Sequence, residues 1–235
     1  MTLRNDDSVE IPFVPWEDFL PVFFRIWKQG EHVSLVGPTG TGKTTLALAI
    51  LPRRQYVCVL GTKPRDKTLD RLISKDGFKR IKSWHEKLMP EKVILWPDVS
   101  SPDDLKEQEQ IFRAGLNSMY TKGGWTVFFD EVRYMTQKLN MKQIVEMFWM
   151  QGRSSDLTVV AGCQRPAFVP TELYDQATHI FFWRDNDEAN LKRIGGIGWL
   201  NSKIIRETVA ALPLHVCLYI NVRTGVMLTT KVKVK

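Results

Sequence analysis

The chain has 235 residues, enough for one good-sized domain with a real core and short for two. Hydrophobic residues make up 43% and charged residues 25%, which excludes wholesale disorder, and no apolar run reaches the length of a bilayer span. Basic residues number 33 against 26 acidic, and the resulting net charge of +7 favours a polyanionic partner without saying anything about fold.

Residues 1–30 read as an N-terminal lead-in. Asp6, Asp7 and Glu10 do not suit a secretory signal. Two prolines, Pro12 and Pro15, then precede a short helix through Phe19, Val22, Phe23 and Ile26, closed by Gly30. From residue 31 to 235 the pattern is that of one domain. Short runs at 32–36, 56–60, 93–96, 126–129, 157–162 and 179–183 are rich in Val, Ile, Leu and Phe, as suits strands buried on both faces of a parallel sheet.

Between these runs the chain reads as helix. Ser101-Pro102-Asp103-Asp104 supplies an N-cap, a proline at the first position and acids in the first turn, and Phe112, Leu116, Met119 and Tyr120 come next at helical spacing. Met141, Ile144, Val145 and Phe148 repeat that spacing up to Gly152. Strands alternating with helices imply right-handed βαβ units. The last two runs, 214–222 and 226–234, flank Arg223-Thr224-Gly225 and predict a hairpin at the sheet edge. Cys58, Cys163 and Cys217 are far apart and odd in number, and the four histidines are scattered. Neither a disulfide framework nor a His/Cys metal site is expected, and a reducing, cytoplasmic setting fits.

Gly37-Pro38-Thr39-Gly40-Thr41-Gly42-Lys43-Thr44 matches the G-x-x-x-x-G-K-[ST] phosphate loop at every fixed position, with a predicted strand before it and a helix from Thr45 after it. Glycines let successive backbone N–H groups curl round phosphates, and the helix N-terminus adds a favourable dipole. Lys43 is expected to reach the β- and γ-phosphates of ATP, and the Thr44 hydroxyl to help hold Mg²⁺. Downstream, the strand at 126–129 ends in Asp130-Glu131. Asp130 is placed to hold a water on Mg²⁺, and Glu131 to polarise the attacking water as general base. The strand at 157–162 ends in Cys163-Gln164-Arg165-Pro166, where Gln164 has the reach to sense the γ-phosphate or the attacking water.

The adjacent Glu131, with two intervening strand candidates, makes the chain resemble the additional-strand, catalytic-glutamate P-loop ATPases. Hydrolysis is therefore favoured over phosphoryl transfer to a small acceptor. The run from Gln151-Gly152-Arg153 to Gln164-Arg165-Pro166 resembles the segment around the T-Q-R-P motif of the FtsK/HerA superfamily of DNA-pumping ATPases, with Cys163 where that superfamily usually has threonine. The resemblance runs from about Val33 to Gly196. It implies a RecA-like α/β fold, ATP and Mg²⁺ as cofactors, and a homo-oligomeric ring, a hexamer by analogy. It also implies an arginine reaching a neighbour's γ-phosphate. Arg153, Arg165 and Arg184 are the candidates, with Arg153 and Arg184 expected near strand ends on the nucleotide edge.

A compact chain of this kind resembles viral genome-packaging ATPases. That implies double-stranded DNA bound without sequence specificity, a partner at a viral portal or membrane vertex, and a place in the host cytoplasm or with the virion. Between Gly61 and Lys87 nine Lys or Arg residues (Lys63, Arg65, Lys67, Arg71, Lys75, Lys79, Arg80, Lys82, Lys87) stand against the acids Asp66, Asp70, Asp76 and Glu86. The tail adds Lys231, Lys233 and Lys235, alternating on one strand face. Such clusters engage phosphates without reading bases, or simply solvate a surface. Three other readings stay open. One is an assembly ATPase of the filamentous-phage type acting on single strands, another is a nucleotide-dependent regulator or scaffold that moves nothing, and the third is a small-molecule kinase.

Overall fold

His32 to Val36 has no exposed face, so the strand it forms can only lie inside a sheet covered on both sides. In the computed structural model, which describes residues 11–85, 89–99, 101–196 and 201–233, this strand is β1 (His32–Val36). It pairs in parallel with β6 (Thr158–Cys163) on one side and β7 (Ala177–Trp183) on the other. Beyond β6 come β5 (Thr126–Phe129), β2 (Val57–Leu60), β4 (Lys92–Leu95) and β3 (Lys79–Ile81), all parallel. Beyond β7 lie β8 (Val216–Asn221) and β9 (Val226–Lys231), both antiparallel. Among the described residues these nine strands make one sheet.

Side chains alternate between the two faces, so each strand feeds two cores. Val127 and Phe129 of β5 join a cluster with Phe112 and Leu116 of α4 (Leu105–Lys122) and Val145 and Phe148 of α5 (Lys142–Gln151). Phe128, between them, joins the opposite cluster with Phe23 of α1 (Trp16–Ile26), Leu46 of α2 (Lys43–Ile50) and Leu72 of α3 (Lys67–Lys75). Each such fully buried Leu or Phe stabilises the fold by about 1.5–3 kcal/mol. Helices α6 (Glu172–Asp175), α7 (Glu188–Gly195) and α8 (Ser202–Ala211) complete the first side, with Leu173, Ile194 and Ile205 in its core. The expected fold class, a mostly parallel sheet covered by helices with a C-terminal hairpin, is the one observed.

The N-terminal segment is tied into this body. Phe23 packs edge-on against Phe181 and Tyr219, with ring centroids 5.6 and 6.0 Å away. Val14 N–H donates to Thr229 O and Thr229 N–H to Pro12 O, both at 2.8 Å, which covers the outer edge of β9.

The strand at the other sheet edge, β3, is not expected from the sequence. It is a three-residue Lys-Arg-Ile strand, mostly exposed, with no apolar run to announce it. Charged residues on such an edge discourage pairing with another chain. Lysines of the tail do not form one strand face, because β9 ends at Lys231 and Lys233 pairs instead with Glu17 at 3.0 Å. Residues 1–10, Glu86, Lys87, Val234 and Lys235 lie outside the described residues. Among the described residues, no helix is long and apolar enough to cross a membrane.

Candidate active site

Three neighbouring strands, β5, β6 and β1, end side by side at one edge of the sheet, and the site is built from the segments that leave their carboxyl ends. After β1 the chain turns through residues 37–42 into α2. Gly37 N–H donates to Cys163 O at 3.0 Å, fastening the start of the turn to the end of β6. Gly42, just before α2, has φ +120°, a backbone conformation open to glycine and strained for other residues. The turn presents the free N–H groups and the positive end of the α2 dipole. Lys43 is buried, and its ammonium donates to Gly37 O at 2.5 Å and Pro38 O at 2.7 Å. Burial lowers its pKa, while the Glu131 and Asp130 carboxylates oppose that shift.

The two acids beyond β5 are held differently. Asp130 accepts a hydrogen bond from Thr44 Oγ1 at 2.8 Å on one oxygen, and its other oxygen lies 3.1 Å from Lys63 Nζ. Lys63 reaches it from beyond the carboxyl end of β2 and also touches Asp66 at 3.2 Å. Burial works against the Lys63 charge, but the carboxylates of Asp130 and Asp66 outweigh it, so the pKa is raised. Glu131 accepts from Arg133 N–H at 3.3 Å with Oε1, whereas Oε2 is buried without a partner among the described residues. Burial raises the Glu131 pKa, partly offset by that backbone bond and by Lys43.

Beyond β6, Gln164 is exposed and accepts a hydrogen bond from Thr39 Oγ1 at 2.9 Å. Close approach of β5 and β6 depends on Gly162, where an added Cβ would sit 2.2 Å from Asp130 O. Cys163 is buried, with its Sγ 3.8 Å from Tyr174 OH, and burial pushes its pKa up to about 12, so it is a neutral packing residue. Gln164 borders two clefts. One, of about 370 Å³, is lined by residues 39–45 together with Lys63, Asp130, His215 and Lys231. The other, of about 450 Å³, holds Glu131, Arg133, Lys138 and Arg165 beside a five-residue π-helical turn, Tyr134–Lys138. Such turns are frequent at functional sites.

Arg165 and Arg184 both come after carboxyl ends of parallel strands and are exposed on the edge that carries the loop. Arg184 makes no hydrogen bond or ion pair among the described residues. Arg153 is elsewhere, which corrects the expectation for it. It precedes β6, and Nη2 donates to Thr178 Oγ1 at 3.2 Å near the start of β7, so it lies at the amino ends of the strands. In a parallel sheet the residues before a strand and those after it belong to opposite edges.

Four residues at the loop belong to no sequence motif that ties them to it. Trp183, at the end of β7, packs so closely that a Cβ on Gly37 would lie 2.7 Å from its own Cβ. Lys63 and Lys231 look in the sequence like surface cations, and His215 is an isolated histidine. The one available signal is position, since Lys63 comes just after the carboxyl end of a predicted strand.

No protein-family model and no curated protein matches the chain. Solved structures do. The genome-packaging NTPase B204 of Sulfolobus turreted icosahedral virus 2, in complex with AMPPCP, aligns over 87% of this chain and 98% of its own with TM-score 0.64 and 17% identity. B204 of Sulfolobus turreted icosahedral virus, a DNA-packaging ATPase, aligns over 88% and 100% with TM-score 0.63 and 14% identity. ATPases 2 and 3 of Thermomonospora curvata EccC align over 87% of this chain and 37% of that one with TM-score 0.59 and 11% identity. The chain thus has the fold of the P-loop ATPases in these proteins, consistent with the FtsK/HerA-type resemblance read from its sequence.

Proposed function

We propose that the chain hydrolyses Mg²⁺-ATP on the loop at 37–44 and uses the cycle to move double-stranded DNA, as a viral genome-packaging motor working in a homo-oligomeric ring. The observation that carries this reading is the meeting of Thr44, Asp130 and Gln164 around one phosphate loop, with Glu131 in the adjoining cleft that Gln164 also borders. The likeness to B204, a DNA-packaging ATPase, supports it in kind.

The oxygen donors fit Mg²⁺. A hydroxyl and a carboxylate are already joined at Thr44 and Asp130, and the Lys63 ammonium at the second Asp130 oxygen marks a place that favours a cation. Mg²⁺ takes hard oxygens, commonly one or two carboxylates plus substrate phosphates. Bound there, it would neutralise charge on the β- and γ-phosphate oxygens.

In this reading the α2 N-terminus and Lys43 bind the phosphates. Water attacks the γ-phosphorus as the bond to the β–γ bridging oxygen breaks. Glu131 takes the proton from that water. Its raised pKa, with Oε2 buried and lacking a partner among the described residues, makes it a stronger base than an ordinary carboxylate. Gln164 orients the water or the γ-phosphate, and Arg184 or Arg165 stabilises the transferring group in a neighbouring subunit. Exposed cations such as Arg65, Lys67, Lys75 and Lys79 contact DNA phosphates.

The test is steady-state ATP hydrolysis at low salt with and without duplex DNA, single-stranded DNA or RNA. Several-fold stimulation by duplex, lost as salt rises, is the expected result. Preference for single strands would move the reading to a filamentous-phage type of assembly ATPase. Turnover indifferent to nucleic acid would remove the motor and leave the hydrolase.

A further inference from the structure

The C-terminal hairpin, expected to be an edge element, reaches the phosphate loop with its open end. Strand β8 runs antiparallel to β7 and so starts at the edge where the loop lies, and β9 returns to that same edge. His215, just before β8, and Lys231, the last residue of β9, therefore stand close together, with Val216 and Lys231 paired in register. Both line the cleft formed by residues 39–45, as does Val232. A hydrogen bond of 3.3 Å joins His215 Nδ1 to Thr41 O, so the imidazole is the donor at that atom. His215 also has φ +65°, a left-handed conformation uncommon for a residue with a side chain.

Sheet order fixes which part of a nucleotide this end would meet. From Asp130 beyond β5 the order runs through β6 and Gln164, then β1 and the loop, then β7, then the hairpin. The acids lie on one side of the loop and the hairpin on the other. A nucleotide whose terminal phosphate faces Asp130 and Glu131 must extend its α-phosphate, ribose and base towards the hairpin. The cations agree with this. Lys233 is engaged by Glu17, while Lys231 faces the cleft with no ion pair among the described residues.

We infer that the open end of the hairpin is the nucleoside subsite: His215 and Val232 contact the base and sugar, and Lys231 meets the α-phosphate. The inference rests on the loop being the phosphate site, and the test separates the two. Binding of ATP and of inorganic tripolyphosphate is measured for the full chain and for the His215→Ala, Val232→Ser, Lys231→Met and Lys43→Ala variants.

His215→Ala is expected to weaken ATP binding by at least about fivefold, the lower end of what stacking a base on an aromatic ring is worth, and Val232→Ser to weaken it in the same direction. Val232→Ser should leave tripolyphosphate within twofold, which also shows that it folds, and His215→Ala, which also loses the bond to Thr41 O, should weaken ATP more than tripolyphosphate. Lys231→Met should weaken both ligands. Unchanged ATP affinity in His215→Ala and Val232→Ser, with tripolyphosphate binding intact and lost in Lys43→Ala, would overturn the subsite and leave the phosphate loop standing. Tripolyphosphate binding absent from the unaltered chain, or indifferent to Lys43→Ala, would bring down the phosphate site and the subsite together.

Discussion

Lys63 Nζ lies 3.1 Å from Oδ2 of Asp130, so a side chain from the end of one strand supplies a positive charge to the carboxylate at the end of the next. The same carboxylate takes the Thr44 hydroxyl on its other oxygen. Lys63 thus occupies the electrostatic place that a divalent cation would fill, and a Mg²⁺ bound as proposed would compete with it for Asp130.

The Lys63→Met variant tests that competition. Its side chain is 57% exposed, and exposed ion pairs are worth up to about 1 kcal/mol. Removing the charge should lower the Mg²⁺ concentration for half-maximal nucleotide binding by roughly two- to fivefold. In excess EDTA, the same variant should bind ATP more weakly, because one cation near the phosphates is gone. A fluorescent-nucleotide titration reads both effects. Two shifts in the same direction would mean that Lys63 acts on the loop's shape and not through Asp130.

Glu131→Gln should leave ATP bound and uncleaved, with turnover lost by about 10²-fold or more, the lower end of general-base contributions. Its stability carries a second signature. A carboxyl whose pKa is raised on folding contributes stability that is present at low pH and lost as pH rises through the folded value. Glu131 is such a group, so the variant should melt at a higher temperature than the unaltered chain at pH 7.5. That gain should shrink as pH falls into the ordinary carboxylate range. Loss of ATP binding in a pull-down would instead make Glu131 a structural residue.

Which arginine acts between subunits is open to a mixing experiment. Arg184→Ala and Lys43→Ala chains, each inactive alone, should recover part of the hydrolysis when combined, because an intact arginine then faces an intact loop at some interfaces. Arg184 is exposed on the loop-bearing edge and has no ion-pair partner among the described residues, which is why it is placed first. Parallel mixtures with Arg165→Ala and Arg153→Ala complete the set. No recovery in any mixture would remove the trans-arginine.

Much of this architecture is readable along the chain because the signals are local. The β1, β2, β5 and β6 strands are mostly apolar, and the loop at 37–44 and the Asp130-Glu131 strand end are set by spacing within a few residues. The unreadable part depends on sheet order. Nothing near Lys63 says that β2 will lie beside β5, and nothing near His215 says that β8 will begin at the loop. A strand as short and charged as β3 carries no hydrophobic signal at all. Arg153 lies away from its expected edge because nearness to a strand in sequence does not say which of its ends is meant.

His32 offers a test of the fold away from the chemistry. Its Nδ1 accepts from Val159 N–H at 3.0 Å, and since a backbone N–H can only donate, Nε2 carries the proton given to Trp149 O at 3.1 Å. Protonating Nδ1 would set N–H against N–H. Burial lowers the pKa to about 4, with Arg153 adding to the shift and the Trp149 carbonyl opposing it. A histidine depressed in this way contributes stability that is whole above its unfolded value near 6.5 and is lost as pH falls towards 4. Over that window the loss is about 3 kcal/mol at roughly 1.36 kcal/mol per pKa unit. His32→Asn keeps an acceptor for Val159 N–H and has no titrating nitrogen. It should be less stable than the unaltered chain at pH 7.5, yet lose less between pH 6.5 and 4 in urea denaturation. Parallel pH curves for the two chains would mean that His32 is protonated in the folded state at an ordinary pH, and that its two hydrogen bonds do not hold it neutral.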